Sequence, residues 1–255
     1  MADKTVVLTK LEFDVLWELE RLPRKHESLT VPSPGRTHTE RAKLVAGALA
    51  DLAQRGLASG DRATPELADR LALLAYPQLS IDGWVWTDHR ISALGVVSGS
   101  TAQLAAVDGD EVWLIPARET AIVEATVAIA GDTPPGPGYS VTMPTEILTE
   151  ADRESRGDLR EFAAVLGHAG IPGSDAKTMS DMLGGMGVRG QFGASRQLRD
   201  QRMIRADRVV AFHDTDRGRY VYLAKPNADG RQWSTVAPAD NKRIALCVQE
   251  LLDEI

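Results

Sequence analysis

The chain has 255 residues, 43% of them hydrophobic and 25% charged, with 36 acidic against 29 basic side chains and a net charge of −7. This composition suits a folded chain of one or two domains and excludes intrinsic disorder. The acidic balance also counts against a general binder of nucleic acid or of anionic membranes, since both reward positive charge.

The first half opens with helices. Thr9 and Glu12 stand at capping-box spacing, with Leu8 and Phe13 at the staple positions, and Leu11, Val15, Leu16, Leu19 and Leu22 follow at helical intervals until Pro23. Residues 24–36 read as loop or edge strand, broken by Pro32, Pro34 and Gly35. Thr37 and Glu40 repeat the start signal for a second helix through Leu52 that stops at Gly56. A third begins at Thr64-Pro65, carries Leu67, Leu71 and Leu74, and ends at Pro77. The period then changes from 3.6 to 2. Four strands are expected at Leu79–Trp86, Ile91–Val97, Ala102–Val107 and Glu111–Ile115, separated by short polar turns. Glu119–Ala130 follows as a weak helix, rich in β-branched residues.

Gly131-Asp132-Thr133-Pro134-Pro135-Gly136-Pro137-Gly138 is a Pro/Gly-dense linker near the midpoint. Beyond it the order of elements resumes. Helices are expected at about 146–169 and 175–186, strands at about 190–198, 207–213, 219–225 and 231–236. A last helix from Asp240 carries Ile244, Val248, Leu251 and Ile255 along one stripe. The reading is an α+β fold of two pseudo-repeated halves, about 1–131 and 139–255, each with helices and a four-strand antiparallel meander.

Few residues offer chemistry. His213 beside Asp214 and Asp216 admits metal ligation or acid–base work, but Asp214–Gly218 reads more simply as a hairpin tip. The glycines from Gly184 to Gly190 lie in the order helix, glycines, strand, the reverse of a phosphate-binding loop. Ser195 lacks the setting of a nucleophile elbow. Cys247, the single cysteine, reads as a small core residue; it permits no intramolecular disulfide and no cysteine-based zinc site. No catalytic residue, metal site or cofactor is expected. The lone cysteine, which fits a reducing compartment, the absence of a leader signal in Met1-Ala2-Asp3-Lys4-Thr5 and the lack of any apolar run of about 18 residues point to a cytoplasmic protein without membrane insertion.

Two features exceed a plain globular background. Residues 189–219 hold eight arginines and four aspartates, a local +4 in an acidic chain. They read either as solvated strand edges or as a docking surface for an acidic partner. Met179, Met182 and Met186 recur at i, i+3 and i+7, a core stripe first and an adaptable groove second.

Leu8-Thr9-Lys10-Leu11-Glu12-Phe13-Asp14-Val15-Leu16-Trp17-Glu18 resembles the opening of the EspG proteins of actinobacteria, as do Arg189–Gly193, Arg208–Thr215 and Gly218-Arg219-Tyr220. The resemblance spans essentially the whole chain. It implies an α+β fold with quasi-two-fold internal symmetry and a non-enzymatic role: a cytosolic specificity chaperone of type VII (ESX) secretion. Such a chaperone binds the apolar tip of the PPE protein in a PE–PPE heterodimer, keeps it soluble and targets it for export. A monomer on its client is expected, with self-association open to it when the client is absent. Patterning in the second half, and no family motif, supplies the candidate partner-binding residues: Met179, Met182, Met186, Phe212, Tyr220, Tyr222 and Trp233, with Arg196, Arg205 and Arg219 as a rim. The alternative is a small hydrolase or metal-dependent enzyme centred on His213 and Asp214. RNA binding through the basic stretch is a third reading.

Overall fold

The computed structural model describes residues 4–255; the residues Met1–Asp3 read above for a leader signal lie outside it. The chain forms two compact units. The first takes the residues up to Trp84, His89–Ile129 and Ser195–Ile204; the second takes Val85–Asp88, Ala130–Ala194 and Arg205–Ile255.

In the first unit a short strand, β1 (Val6–Thr9), runs directly into α1 (Lys10–Leu19). The capping box forms as the spacing requires. The Thr9 hydroxyl accepts from the Glu12 N–H at 3.1 Å, and the Glu12 carboxylate accepts from the Thr9 N–H at 2.7 Å. That carboxylate is buried and also takes two hydrogen bonds from the Arg55 guanidinium at 2.9 and 3.0 Å. The second box, Thr37 with Glu40, starts α2 (His38–Gln54). A small hairpin, β2 (Ala58–Ser59) and β3 (Arg62–Ala63), leads to α3 (Pro65–Ala75), with Pro65 in its first turn.

The meander is β4 (Leu79–Trp86), β5 (Arg90–Ser98), β6 (Thr101–Asp108) and β7 (Glu111–Ala117). The strand order in this unit is β1-β7-β6-β5-β4, so the N-terminal strand closes the edge beside β7 in antiparallel register, Val7 opposite Trp113. One sheet face packs through Leu94, Val96, Ala105 and Leu114 on Phe13, Leu16, Leu52 and Leu71 of the helices. The weak helix forms as one short turn, α4 (Ile122–Val127), between 3₁₀ turns at Glu119–Ala121 and Ala128–Ala130. Gly95 on β5 seats it: a Cβ there would collide with Thr126 Oγ1.

The second unit starts with β8 (Val141–Pro144), followed by α5 (Thr145–Ser155), α6 (Leu159–His168) and α7 (Gly173–Leu183). Then come β9 (Arg189–Gln197), the short β10 (Met203–Arg205) paired with β9, β11 (Val210–Thr215), β12 (Gly218–Pro226), β13 (Gln232–Pro238) and α8 (Asn241–Asp253). The order β9-β11-β12-β13-β8 mirrors the first unit, an N-terminal strand again closing the edge beside the last strand of a meander. Val141, Met143, Tyr220 and Val236 on one sheet face pack on Phe162, Leu166, Met179 and Met182 of the three helices. Ile244, Cys247, Val248 and Leu251 of α8 are buried.

The structure departs from the sequence reading in five places. The long helix over 146–169 is two helices, because Arg156 turns left-handed (φ 48°), Gly157 follows at φ 89°, and Asp158 recaps the chain by accepting from the N–H groups of Arg160 and Glu161. Helix α7 stops at Leu183, so Met186 leaves the methionine face and stands exposed. The strand expected from 207 starts at Val210, and Ile255 lies past the end of α8. The strands β1, β2, β3, β8 and β10 were unanticipated, each being four residues or fewer.

Candidate functional site

The β11–β12 hairpin carries the residues with the strongest chemical promise, and both are occupied. His213 is 4% exposed. Its Nε2–H donates to the Met182 carbonyl at 2.9 Å and its ring stacks on Tyr220 at 5.5 Å between centroids. Burial pushes the imidazole pKa below its ordinary value, against smaller raising effects from the Met182 carbonyl and Asp214. Asp214 does not face His213's proton. It grips Arg219 in a two-point ion pair, Nε to Oδ1 at 2.6 Å and Nη2 to Oδ2 at 2.9 Å, and accepts from the Thr133 hydroxyl at 3.0 Å.

Arg219 is fully buried. Besides Asp214 it donates to the carbonyls of Ala130 at 2.6 Å and Gly131 at 3.0 Å, to Asn241 Oδ1 and to Thr133 Oγ1. Its guanidinium lies 4.6 Å from the Phe212 ring centroid. Its backbone also holds the linker, donating to the Pro134 carbonyl and accepting from the Gly136 N–H. The hydroxyl of Tyr220 adds a bond to the Pro137 carbonyl at 3.1 Å. Gly136 is required there, because a Cβ would run into the Tyr220 ring. The hairpin is therefore a clasp for the linker. Removing one partner from so buried a pair costs about 3–5 kcal/mol. Among the described residues no group of three His, Cys, Asp or Glu side chains gathers around a point, and no helix is long and apolar enough to cross a membrane.

The strand alternation that sends Tyr220, Tyr222 and Val236 toward α5–α7 sends Leu223, Trp233 and Thr235 to the opposite face. There an open groove of about 340 Å³ runs between the strands and α8. Its sheet side is Thr142, Leu223, Trp233 and Thr235; its helix side is Arg243 and Glu250; Lys225 lies across it, bonded to Glu250 at 2.7 Å. The bond to Lys225 and, less strongly, the nearby Arg243 and Arg208 charges hold the Glu250 pKa below its ordinary value. Trp233 is half-buried, with the Arg231 guanidinium 5.9 Å from its ring centroid. Arg231 is in turn bonded to Glu146 at 2.7 Å. The indole Nε1 of Trp233 is buried with no hydrogen-bond partner among the described residues.

The expected partner-binding residues thus divide. Met179, Met182, Phe212 and Tyr220 are core side chains, and Arg219 is the centre of the clasp, not a rim residue. Tyr222 is half-buried, its hydroxyl paired with Ser234 at 2.9 Å. Trp233 lines the groove, Met186 and Arg205 are exposed, and Arg196 is half-buried on β9. The basic stretch is partly paired: besides Arg219, Arg208 pairs with Glu254 at 2.5 Å and Arg202 with Asp200 at 2.7 Å. Sequence reasoning missed Arg243 and Glu250. Their signal is the i, i+7 spacing, which puts both on one face of α8.

Comparison with known proteins follows from this geometry. Among curated proteins none matches the chain. A solved structure of the Mycobacterium tuberculosis type VII secretion system chaperone EspG5, in complex with the PE25–PPE41 dimer, shares the fold. Its TM-score is 0.78 at 16% sequence identity, over 98% of this chain and 96% of that one. The family model described as the EspG family matches residues 9–250, from the cap of α1 to the last turns of α8. The chain belongs to the EspG family.

Proposed function

We propose that this protein is a cytosolic specificity chaperone of type VII secretion, which binds the PPE subunit of a PE–PPE heterodimer at its apolar tip and carries it to the secretion machinery. One observation carries the reading: membership of the EspG family along 9–250, in a fold shared from end to end with a chaperone captured on a PE–PPE dimer. The chemistry agrees. His213 and Asp214, the strongest candidates for catalysis, are engaged in holding the hairpin and linker. A client with an exposed apolar tip is an aggregation hazard, and a sheet face with a half-covered tryptophan beside a charged helix offers it apolar contact with a polar border.

In this reading the docking surface lies on the second unit. Trp233 stands at its centre, and Tyr222, Met186, Arg196 and Arg205 contribute where their side chains reach solvent. The buried Met179, Met182, Phe212, Tyr220 and Arg219 act through the shape they impose. The halves about 1–131 and 139–255 are pseudo-repeats of one α+β unit. The chaperone works as a monomer on one heterodimer and needs no cofactor.

The test is co-expression with the PE–PPE pairs encoded near its gene, followed by size-exclusion chromatography. A co-eluting three-chain complex with one of those pairs is expected. Failure of every pair to co-elute, from chains that are each soluble, would overturn the reading.

A further inference from the structure

In the first unit, the hairpin of β9 and β10 turns through Leu198–Arg202. Leu198 N–H donates to the Arg202 carbonyl at 2.8 Å, Gln201 N–H to the Leu198 carbonyl at 2.9 Å, and Gln197 Nε2 to the Gln201 carbonyl at 3.3 Å. Gln201 adopts the left-handed conformation, with φ 70°. These bonds hold Arg199 and Arg202 on one short turn, and both are exposed. Arg199 makes no hydrogen bond or ion pair among the described residues. The Arg202 guanidinium has only Asp200, in a pair whose side chains are 74% and 51% exposed, and so open a pair holds weakly.

The base of the hairpin fixes what stands beside the turn. Gln197 N–H donates to the Gln78 carbonyl at 2.7 Å. Gln78 in turn donates its N–H to the Val97 carbonyl and accepts from the Gly99 N–H at its side-chain oxygen, each at 2.9 Å. The segments so joined, 76–79 and 97–101, carry no charge, so nothing in them neutralises the arginines. They bring an aromatic ring instead. Tyr76, two residues from Gln78, is 63% exposed, and Met203, next after Arg202, is 44% exposed. Two residues of chain span at most about 7 Å, so Tyr76 is anchored beside the hairpin base. Residues 196–205 hold four arginines, one aspartate and no lysine, a local +3 in a chain of −7. Charges that only guard a sheet edge are most often lysines. Exposed arginine, methionine and tyrosine, with acids and lysine scarce, are the composition of a binding surface.

We infer that this turn docks an acidic stretch of a second partner protein, distinct from the PE–PPE client. Its carboxylates pair with Arg199 and Arg202, and an apolar side chain beside them lies on Met203 and Tyr76. The guanidinium fork matches a carboxylate in two-point geometry, and Asp200, being exposed, returns to water when displaced. The surface proposed for the client lies on the second unit and this one on the first, so the inference does not rest on the chaperone reading. RNA is the other polyanion to weigh. Its phosphates reward many basic contacts, and two arginines on an acidic chain offer few, whereas Met203 gives an apolar contact suited to a peptide side chain.

The test needs no client. A fluorescent peptide of glutamates around one leucine is titrated with the purified chain and followed by anisotropy. Binding is expected at low salt, weakening as salt rises. Arg199→Glu with Arg202→Glu is expected to weaken it about tenfold, and Tyr76→Ala about threefold. Arg199→Gln with Arg202→Gln should also weaken it, which keeps the test open if charge reversal disturbs the fold. Lys43→Glu with Lys242→Glu, at exposed positions elsewhere, lowers the net charge by as much as the arginine reversal and is expected to bind as the wild type does. Absence of binding overturns the inference, as do wild-type affinity in both arginine variants and an equal loss in the lysine variant. Equal affinity for the same peptide made with glutamines overturns it too, as does tighter binding of an oligouridylate. The arginine variants are expected to keep co-eluting with a PE–PPE pair that the wild type retains. Loss of that pair would assign the turn to the client and overturn the separate partner.

Discussion

Burial holds the His213 imidazole in its neutral form, with Nε2–H given to the Met182 carbonyl and the ring against Tyr220. Its folded pKa lies below the ordinary 6.5, so between those two values the unfolded chain binds the extra proton. The stability this histidine confers is complete above 6.5 and declines as the pH falls toward the folded value, by roughly 1.4 kcal/mol per pH unit. His213→Gln, whose amide can still donate to the Met182 carbonyl, should flatten thermal stability against pH in the range just below 6.5. An unchanged slope in melting curves would show that the imidazole does not set it. For the buried Asp14, burial is the largest single influence and raises the pKa, but the hydrogen bonds and charges of Lys25, Ser33 and Arg41 together outweigh it and lower the pKa, so its contribution is lost only as the pH falls below about 3.8 and does not blur that window. At this scale the sequence was a poor guide to environment. An arginine on a strand is expected at solvent, yet Arg219 is fully buried because its acceptors arrive from the linker, 88 and 89 positions earlier. Arg243 looks like any exposed helical arginine, and only the fold brings Trp233 near it.

Elements with local instructions were legible, and elements defined by distant partners were not. Both capping boxes, the four strands of the first meander and the start of α8 follow from spacings within a few residues. The edge strands β1 and β8 show too few residues to display a period of two, and their partners lie far along the chain, Trp113 for Val7 and Trp233 for Pro144. The break between α5 and α6 was readable in Ser155-Arg156-Gly157-Asp158, a stop followed by a cap, beneath an apolar pattern that runs across it. The linker is the element most dependent on close fit. Gly136 lies against the Tyr220 ring, and Gly218 in the left-handed region (φ 129°) would bring a Cβ within 2.6 Å of the Gly136 nitrogen. Gly136→Ala should therefore cost about 1–3 kcal/mol through displaced packing. Gly99→Ala is a less suitable control because of its positive φ, whereas Gly47→Ala, in open space on α2, should not destabilise. Equal melting temperatures for Gly136→Ala and the wild type would remove the linker from the stability of the second unit.

For the whole molecule, membership of the EspG family and the fold shared with EspG5 set the expectation that a client stabilises the chaperone by mass action. Thermal unfolding of the purified chain with its PE–PPE pair at about one hundred times the dissociation constant should report roughly 2.7 kcal/mol of added stability. A melting temperature independent of client concentration would mean that the native state is not what the client binds. The clasp has a consequence of a different kind, for the order of biosynthesis. The ribosome delivers the Ala130, Gly131 and Pro137 carbonyls more than eighty residues before the Arg219 and Tyr220 side chains that fasten them. Until β12 emerges, the Pro/Gly-rich stretch is an unfastened tether in the nascent chain, the kind of exposed segment proteases prefer. A chain truncated before Arg219 lacks the fastening of that strap and is expected to be cut within 131–138 by a low dose of protease that leaves the full-length chain intact.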